Sequence, residues 1–275
     1  MFKRLAAIAL TLLATASFAA IPARPQLDVT GYVIHADLDP ATGKMTATAQ
    51  VTFTALEDLN IVIFGLNNGL QVTNITDGTN PNITFERNVS DSTVRISPPA
   101  ILSKGSSATW TFTYAGVPTI DTSPVESIKF AQIADPISVL LYPGRWFPIS
   151  MPGLFTDRFT AEVHITVPTG ERVIGSGFTG QKALPEKRTE FDFNWNKPGF
   201  PGTIVAGKFL DPISAPGVPN IHVYVTDASK AKAQELAVTV AKEFEFMTDK
   251  FGGAESGRLS VVELPSDSVS AAWAR

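Results

Sequence analysis

From residue 28 onward, apolar and polar side chains alternate with a period of two, the spacing of a strand with one buried face and one wet face. The clearest run is 45–55. There Met45, Ala47, Ala49, Val51, Phe53 and Ala55 share one side, while Thr46, Thr48, Gln50, Thr52 and Thr54 share the other. A helix would scatter these apolar residues around its circumference. The alternation recurs at Ala108, Trp110, Phe112 and Tyr114, and at Phe159, Ala161, Val163, Ile165 and Val167. Further strands are expected near 28–38, 59–64, 70–76, 82–86, 92–97, 171–176, 188–195 and 203–210. Turn signals such as Asp39-Pro40, Asn67-Asn68-Gly69 and Pro98-Pro99 separate several of them. The sum predicts a mainly β fold, with a large antiparallel domain of saddle- or sandwich-like form over 27–212.

After Pro219 the pattern changes. Ile221, Val223 and Val225 make a short strand, and then Ala233, Leu236, Ala237, Val240, Phe244, Met247 and Phe251 recur at steps of three and four. That is one face of a helix, with Asp227 as the expected N-cap and Gly252-Gly253 as the stop. Residues 259–264 read as another strand. Strand, helix and strand bury too little surface for an independent core, so 220–275 is expected to be the truncated start of an α/β domain.

The first residues follow a different rule. Lys3 and Arg4 precede an apolar run at 5–16, and Ser17-Phe18-Ala19 forms a small-x-small cleavage site. This is the layout of a secretory signal peptide over 1–20, with an apolar run too short to span a bilayer. A periplasmic or secreted protein with no stable membrane span is expected.

Composition narrows the chemistry. With 44% hydrophobic and 17% charged residues the chain has ample material for a core. A net charge of -4 without a basic run argues against nucleic acid as a partner. The absence of cysteine excludes disulfides, thiol catalysis and cysteine-ligated zinc. The histidines His35, His164 and His222 fall on separate expected strands, and His164 lies among Glu162 and Thr166 on a polar face, where a solvated histidine is expected. No metal ligands, cofactor site or catalytic residues are therefore expected within this chain. Gly175-Ser176-Gly177-Phe178-Thr179-Gly180 satisfies the bare dinucleotide-binding pattern, but Pro185 and the alternating Phe191, Phe193 and Trp195 follow it instead of a helix, which makes it a β-turn. Asp37, Asp39, Asp121, Asp135 and Asp157 are scattered through strand ends and loops, where turn chemistry accounts for them. Asn74, Asn82 and Asn88 head formal glycosylation sequons that read equally as strand and turn residues.

Several short motifs occur in a fixed order. They are Tyr142-Pro143-Gly144-Arg145-Trp146-Phe147-Pro148, then Asp157-Arg158-Phe159-Thr160-Ala161-Glu162-Val163, then Val167-Pro168-Thr169-Gly170 and Gly175-Ser176-Gly177. In this order they resemble the N-terminal domain of the aminopeptidase N family of zinc metallopeptidases. Tyr32 with Asp37-Leu38-Asp39-Pro40 resembles that family's first strand, and Phe251-Gly252 followed by Val261-Val262-Glu263-Leu264-Pro265 resembles the entry to its thermolysin-like catalytic domain.

The resemblance implies a β domain that closes one side of a peptide cleft and packs on the remainder of its own catalytic domain. It implies zinc for the intact parent, held by a His-Glu-x-x-His helix, a motif absent here. This chain alone is therefore expected to be inactive. The family places a substrate-binding Gln or Glu just before the Arg-x-Phe-Pro segment, which falls here on 139–142, so Leu140 and Tyr142 become cleft candidates. The Glu of the family's Gly-x-Met-Glu-Asn segment, an anion for the substrate's α-ammonium, falls on Ala274. Trp146, Phe147 and Pro148 either line the cleft or pack under the sheet. The alternative to a peptidase part is an exported β-sandwich binding or adhesion module with no catalytic role.

Overall fold

A computed structural model describes residues 26–120, 129–151, 154–253 and 259–265. The expected leader at 1–20, Asp121 and Ala274 lie outside the described residues. The first half of the chain forms β1 (Leu27–Asp39), β2 (Lys44–Ala55), β3 (Val62–Gly65), β4 (Leu70–Thr76), β5 (Thr84–Asn88), β6 (Thr93–Ser97) and β7 (Ser107–Gly116). There follow β8 (Ala131–Gln132), β9 (Ile137–Leu140), β10 (Ile149–Ser150), β11 (Phe159–Pro168), β12 (Arg172–Gly175), β13 (Phe178–Leu184), β14 (Arg188–Gly199) and β15 (Ile204–Gly207). The last part comprises β16 (Ile213–Ala215), β17 (Val218–Tyr224), α1 (Lys230–Phe251) and β18 (Leu259–Val262). The protein is mainly β with several antiparallel sheets.

One seven-stranded sheet runs β13-β14-β11-β1-β2-β7-β4. Its alternation is the one the sequence shows: Met45, Ala47, Ala49, Val51, Phe53 and Ala55 of β2 are all buried. In β1 the buried set steps from Leu27 and Val29 to Tyr32, Ile34, Ala36 and Leu38, because a bulge between Val29 and Gly31 inserts one residue. A four-stranded sheet, β10-β3-β6-β5, covers the apolar face. Phe64 of β3 meets Phe53 edge-on at 5.7 Å and Phe112 at 5.3 Å, so the two layers interlock through aromatic rings. Burial of each such ring contributes roughly 1.5–3 kcal/mol.

Two pairings depart from the antiparallel expectation. β1 pairs parallel to β11, and β17 parallel to β18. Alternation records which face is buried and carries no information on strand direction, so the pattern does not distinguish them. The strands that the sequence reading lacks also have physical causes. All of β9 is buried and β13 is largely exposed, so neither alternates, while β8, β10 and β16 are two or three residues long.

A second four-stranded sheet, β12-β15-β9-β8, and a three-stranded one, β16-β17-β18, complete the fold. Helix α1 packs on the latter through Ala233, Ala237 and Ala241, with Val240 and Phe244 partly covered. The expected helix face is thus only half buried: Leu236, Met247 and Phe251 are exposed, as is Phe246. Asp227 is not the N-cap. A short 3-10 turn at Asp227–Ser229 precedes the helix, and Glu263 accepts from the Thr226 N–H at 2.6 Å and the Ser229 hydroxyl at 2.7 Å. Gly252 does end the helix, with φ +86° and its N–H donated to the Thr248 carbonyl. Among the described residues no helix is long and apolar enough to cross a membrane.

Asn67, in the turn expected at 67–69, joins three loops. Its side-chain amide donates to the carbonyls of Thr119 (3.0 Å) and Gly144 (3.1 Å), and its Oδ1 accepts from the N–H groups of Gly69 and Thr119. Asn67→Ala leaves the buried Gly144 carbonyl and the partly buried N–H groups of Gly69 and Thr119 without these partners and is expected to destabilise the fold by roughly 2–4 kcal/mol. Denaturant melts of the two proteins measure the difference.

Glu171 is nearly buried, and burial followed by Asp135 pushes its carboxyl up, against the lowering effect of Lys208 and Arg188. A carboxyl raised in the native state holds its proton more tightly folded than unfolded. Its effect therefore costs stability at neutral pH, and that cost is relieved as pH falls through the raised value toward the ordinary 4.5. Glu171→Gln should raise the melting temperature at neutral pH, with the gain shrinking on acidification; an equal gain at every pH would contradict this.

Candidate functional site

The motif 142–148 is built for packing. A 3-10 turn at Tyr142–Gly144 ends at Arg145, which takes the left-handed conformation with φ 49°. Only glycine fits at 144, since a Cβ there would lie 2.5 Å from the Phe130 carbonyl oxygen. The turn drives Trp146 and Phe147 inward, where both are fully buried. Trp146 Nε1 donates to the Gly202 carbonyl at 2.7 Å, and Phe147 stands edge-on to Tyr32 at 5.0 Å and to Trp146 at 4.8 Å. Of the two places open to these rings, they take the one under the sheet.

The cleft candidates share this fate. Leu140 is buried in β9, and Tyr142 packs among Phe147, Phe155, Phe159 and Phe200 with its hydroxyl pushed up by burial. Neither brings a polar group to an open surface. Ala274 lies outside the described residues, so the structure does not join it to the other two.

Two concavities offer room for a ligand. The larger, about 710 Å³, lies between the β12/β15 and β13/β14 strands and the β17/β18 pair, with Arg172, Phe178, Phe191, Trp195, Tyr224 and Val262 in its wall. Its floor depends on the Gly-x-Gly turn. A Cβ on Gly175 would meet Ile204 Cδ1 at 2.7 Å, and Gly177 has φ +80° with its carbonyl accepting from the Asn194 N–H. Strand β13 and not a helix follows this turn, so it lacks the helix N-terminus of the dinucleotide-binding pattern. Sequence reasoning missed the cavity because β13 does not alternate.

The second concavity, about 350 Å³, lies on the polar face of the seven-stranded sheet and is lined by His35, Asp37, Thr46, Thr48, Thr113 and Thr166. Beside it the register places His35 opposite His164 and His164 opposite Asp192. The two imidazoles stack with centroids 4.3 Å apart and 8° between planes. His164 Nδ1 lies 2.6 Å from Asp192 Oδ1, and Nε2 lies 3.0 Å from Glu162 Oε1. Burial and then His164 hold the His35 ring below the ordinary histidine value. The reading of His164 as a solvated residue apart from the other histidines is corrected here: its side chain is only 15% exposed and faces carboxylates on both sides. Parallel pairing with β1, 129 positions away, brings His35 against it and antiparallel pairing with β14 brings Asp192, and no sequence spacing signals either.

The remaining candidates do structural work. Asp39 accepts from the Thr42 hydroxyl and the Ala41 N–H, which hold its carboxyl below the usual range. Asp135 pairs with Lys208, and Asn88 Oδ1 accepts from the Ser90 N–H and hydroxyl in a turn.

No family model and no curated protein matches the chain. Solved structures do. An M1 zinc metallopeptidase from Deinococcus radiodurans, a mutant bound to a Tyr-Ser-Ala substrate, superposes with a TM-score of 0.70 at 21% identity, over 87% of this chain and 57% of its own. The same organism's M1 zinc metallopeptidase without that substrate gives 0.65 at 21% identity, over 88% and 57%. The chain thus spans less than two thirds of the length of the structures it matches. Over that length, its fold is that of the N-terminal region of M1 zinc metallopeptidases, the aminopeptidase N family.

Proposed function

We propose that this chain is the N-terminal, substrate-cleft-forming portion of an exported zinc metallopeptidase, with peptide hydrolysis belonging to the intact protein. The observation that carries the reading is the fold match to a peptidase holding a tripeptide substrate, which covers 87% of this chain and 57% of that structure and leaves the rest of it without a counterpart in these residues. On this reading 27–212 forms one wall of a peptide cleft and 220–275 opens the catalytic domain. The exposed Leu236, Phe246, Met247 and Phe251 of α1 then face the remainder of that domain, which supplies the apolar cover they lack. The leader at 1–20 directs the protein to the periplasm or the exterior. A match over 87% of the chain is more than residues 1–219 alone can supply, so it reaches into 220–275, which favours a peptidase part over a free-standing adhesion module.

The zinc of such a peptidase does not fit the residues present. His35, His164 and His222 stand on β1, β11 and β17, none on a helix, and no His-Glu-x-x-His occurs. No step of hydrolysis is assigned to this chain. The reading frame beyond Arg275 is expected to encode His-Glu-x-x-His within about 100 residues. Sequencing the locus settles this, and an uninterrupted frame without the motif sinks the proposal.

Ala274 bears on specificity. A methyl group accepts no hydrogen bond from an α-ammonium, a contact that contributes roughly 1.5–3 kcal/mol when charge-assisted. The full-length protein is therefore expected to cleave N-acetylated and free peptides of one sequence at comparable kcat/KM. A strong preference for the free amine rules this out.

A further inference from the structure

The polar face of the seven-stranded sheet carries a group of side chains that the peptidase reading leaves unused. His164 on β11 is directly opposite Asp192 on β14, and Thr166 is opposite Glu190, so all four project from one face of two hydrogen-bonded strands. Nδ1 of His164 lies 2.6 Å from Asp192 Oδ1 and 3.8 Å from Glu190 Oε1. One nitrogen and two carboxylate oxygens lie within 4.8 Å of one another.

Both ring nitrogens of His164 face carboxylates, since Nε2 is 3.0 Å from Glu162 Oε1. A neutral imidazole has a single N–H. In the tautomer that donates through Nε2 to Glu162, Nδ1 turns its lone pair toward Asp192 and Glu190, a repulsion that a cation between them relieves. A carboxylate on the far nitrogen is also what fixes the tautomer and orientation of a histidine ligand. Charge points the same way: three carboxylates, Glu162, Glu190 and Asp192, crowd the ring, and Lys182 pairs with one of them, its Nζ 2.6 Å from Glu190 Oε1. The His35 ring, flat against His164, blocks movement of the imidazole on that side.

We propose that His164 Nδ1, Asp192 and Glu190 form a site for a divalent transition-metal ion, with Glu162 as the positioning residue behind His164. One imidazole with two carboxylates suits an ion of the Zn²⁺ class better than Ca²⁺ or Mg²⁺, which take oxygen ligands alone. Bonds of about 2.0–2.2 Å require neighbouring ligand atoms roughly 3.3 Å apart, so Nδ1 and Oδ1 part slightly while Glu190 closes in. Water fills the remaining positions. Lys182 competes for Glu190 and releases it when the ion binds. Bound there, the ion clamps β11 to β14 on the face opposite the apolar core.

The test is a titration of the chelator-stripped, folded chain with Zn²⁺ by calorimetry, repeated with Co²⁺ by visible absorption. One equivalent is expected, with ligand-field bands that report nitrogen and oxygen ligation. Asp192→Asn, which keeps the shape of the side chain, and His164→Ala should each weaken binding at least about tenfold, and Glu162→Gln about tenfold. Lys182→Met should tighten it, an effect that a general loss of structure does not produce. Thermal melts confirm that each variant is folded. Absence of saturable binding by the folded chain overturns the proposal. So does binding unaltered by Asp192→Asn and His164→Ala, or weakened by Lys182→Met. The readout needs no peptidase activity, so it stands or falls independently of the proposed function.

Discussion

The parallel pairing of β1 with β11 is the contact on which the rest of the molecule depends. From Gly31 opposite Thr160 to Asp37 opposite Thr166, seven consecutive residues pair, and within the seven-stranded sheet they join two runs of strands that are otherwise antiparallel. β1 carries β2, β7 and β4 on one edge, and β11 carries β14 and β13 on the other. Without this central seam the apolar faces of both halves would end at open edges, each exposing a row of unpaired backbone groups. With it, Tyr32 of β1 and Phe159 of β11 meet at 4.7 Å and begin the aromatic core. The long closure it requires costs loop entropy, offset by the large area that the joined faces bury.

The segment 142–148 seals one end of that core. Its turn, the left-handed Arg145 and the fully buried Trp146 and Phe147 form a plug that Gly202 accommodates from the other side, with φ +123° and no Cβ to strike the Phe147 ring. A buried indole needs a partner for its N–H, and the Gly202 carbonyl supplies it. Two close backbone approaches and one hydrogen bond allow this segment few substitutes. That makes it a good marker of fold and a poor guide to chemistry.

The last elements are tied to the sheets by a smaller apolar group, in which Ile137, Val139, Val205 and Phe209 meet Tyr224, Val262 and Leu264. Glu263 reaches from the end of β18 to the turn that starts α1, so the carboxylate in the 261–265 motif organises a helix entry. The cavity of about 710 Å³ lies beside this junction, where packing between the two sets of sheets is incomplete.

Much of the fold was legible in the sequence because burial on one face of a strand leaves a period of two. The cores of β1, β2, β7 and β11, the helix and its Gly252 stop follow from residue order alone, as does the turn that Gly175-Ser176-Gly177 makes. The absence of cysteine is read from composition, and that of a His-Glu-x-x-His motif from residue order. What the sequence could not contain is which strands lie side by side, and in which direction, because alternation specifies a face and not a neighbour. β9, wholly buried, and β13, largely exposed, were silent because neither alternates. Tertiary structure alone therefore decided that Leu140 and Tyr142 are core residues and that Leu236, Met247 and Phe251 stay exposed. It also decided that His164 meets Asp192, Glu190 and His35, since residues from β1, β11 and β14 become neighbours only through the register of the sheet.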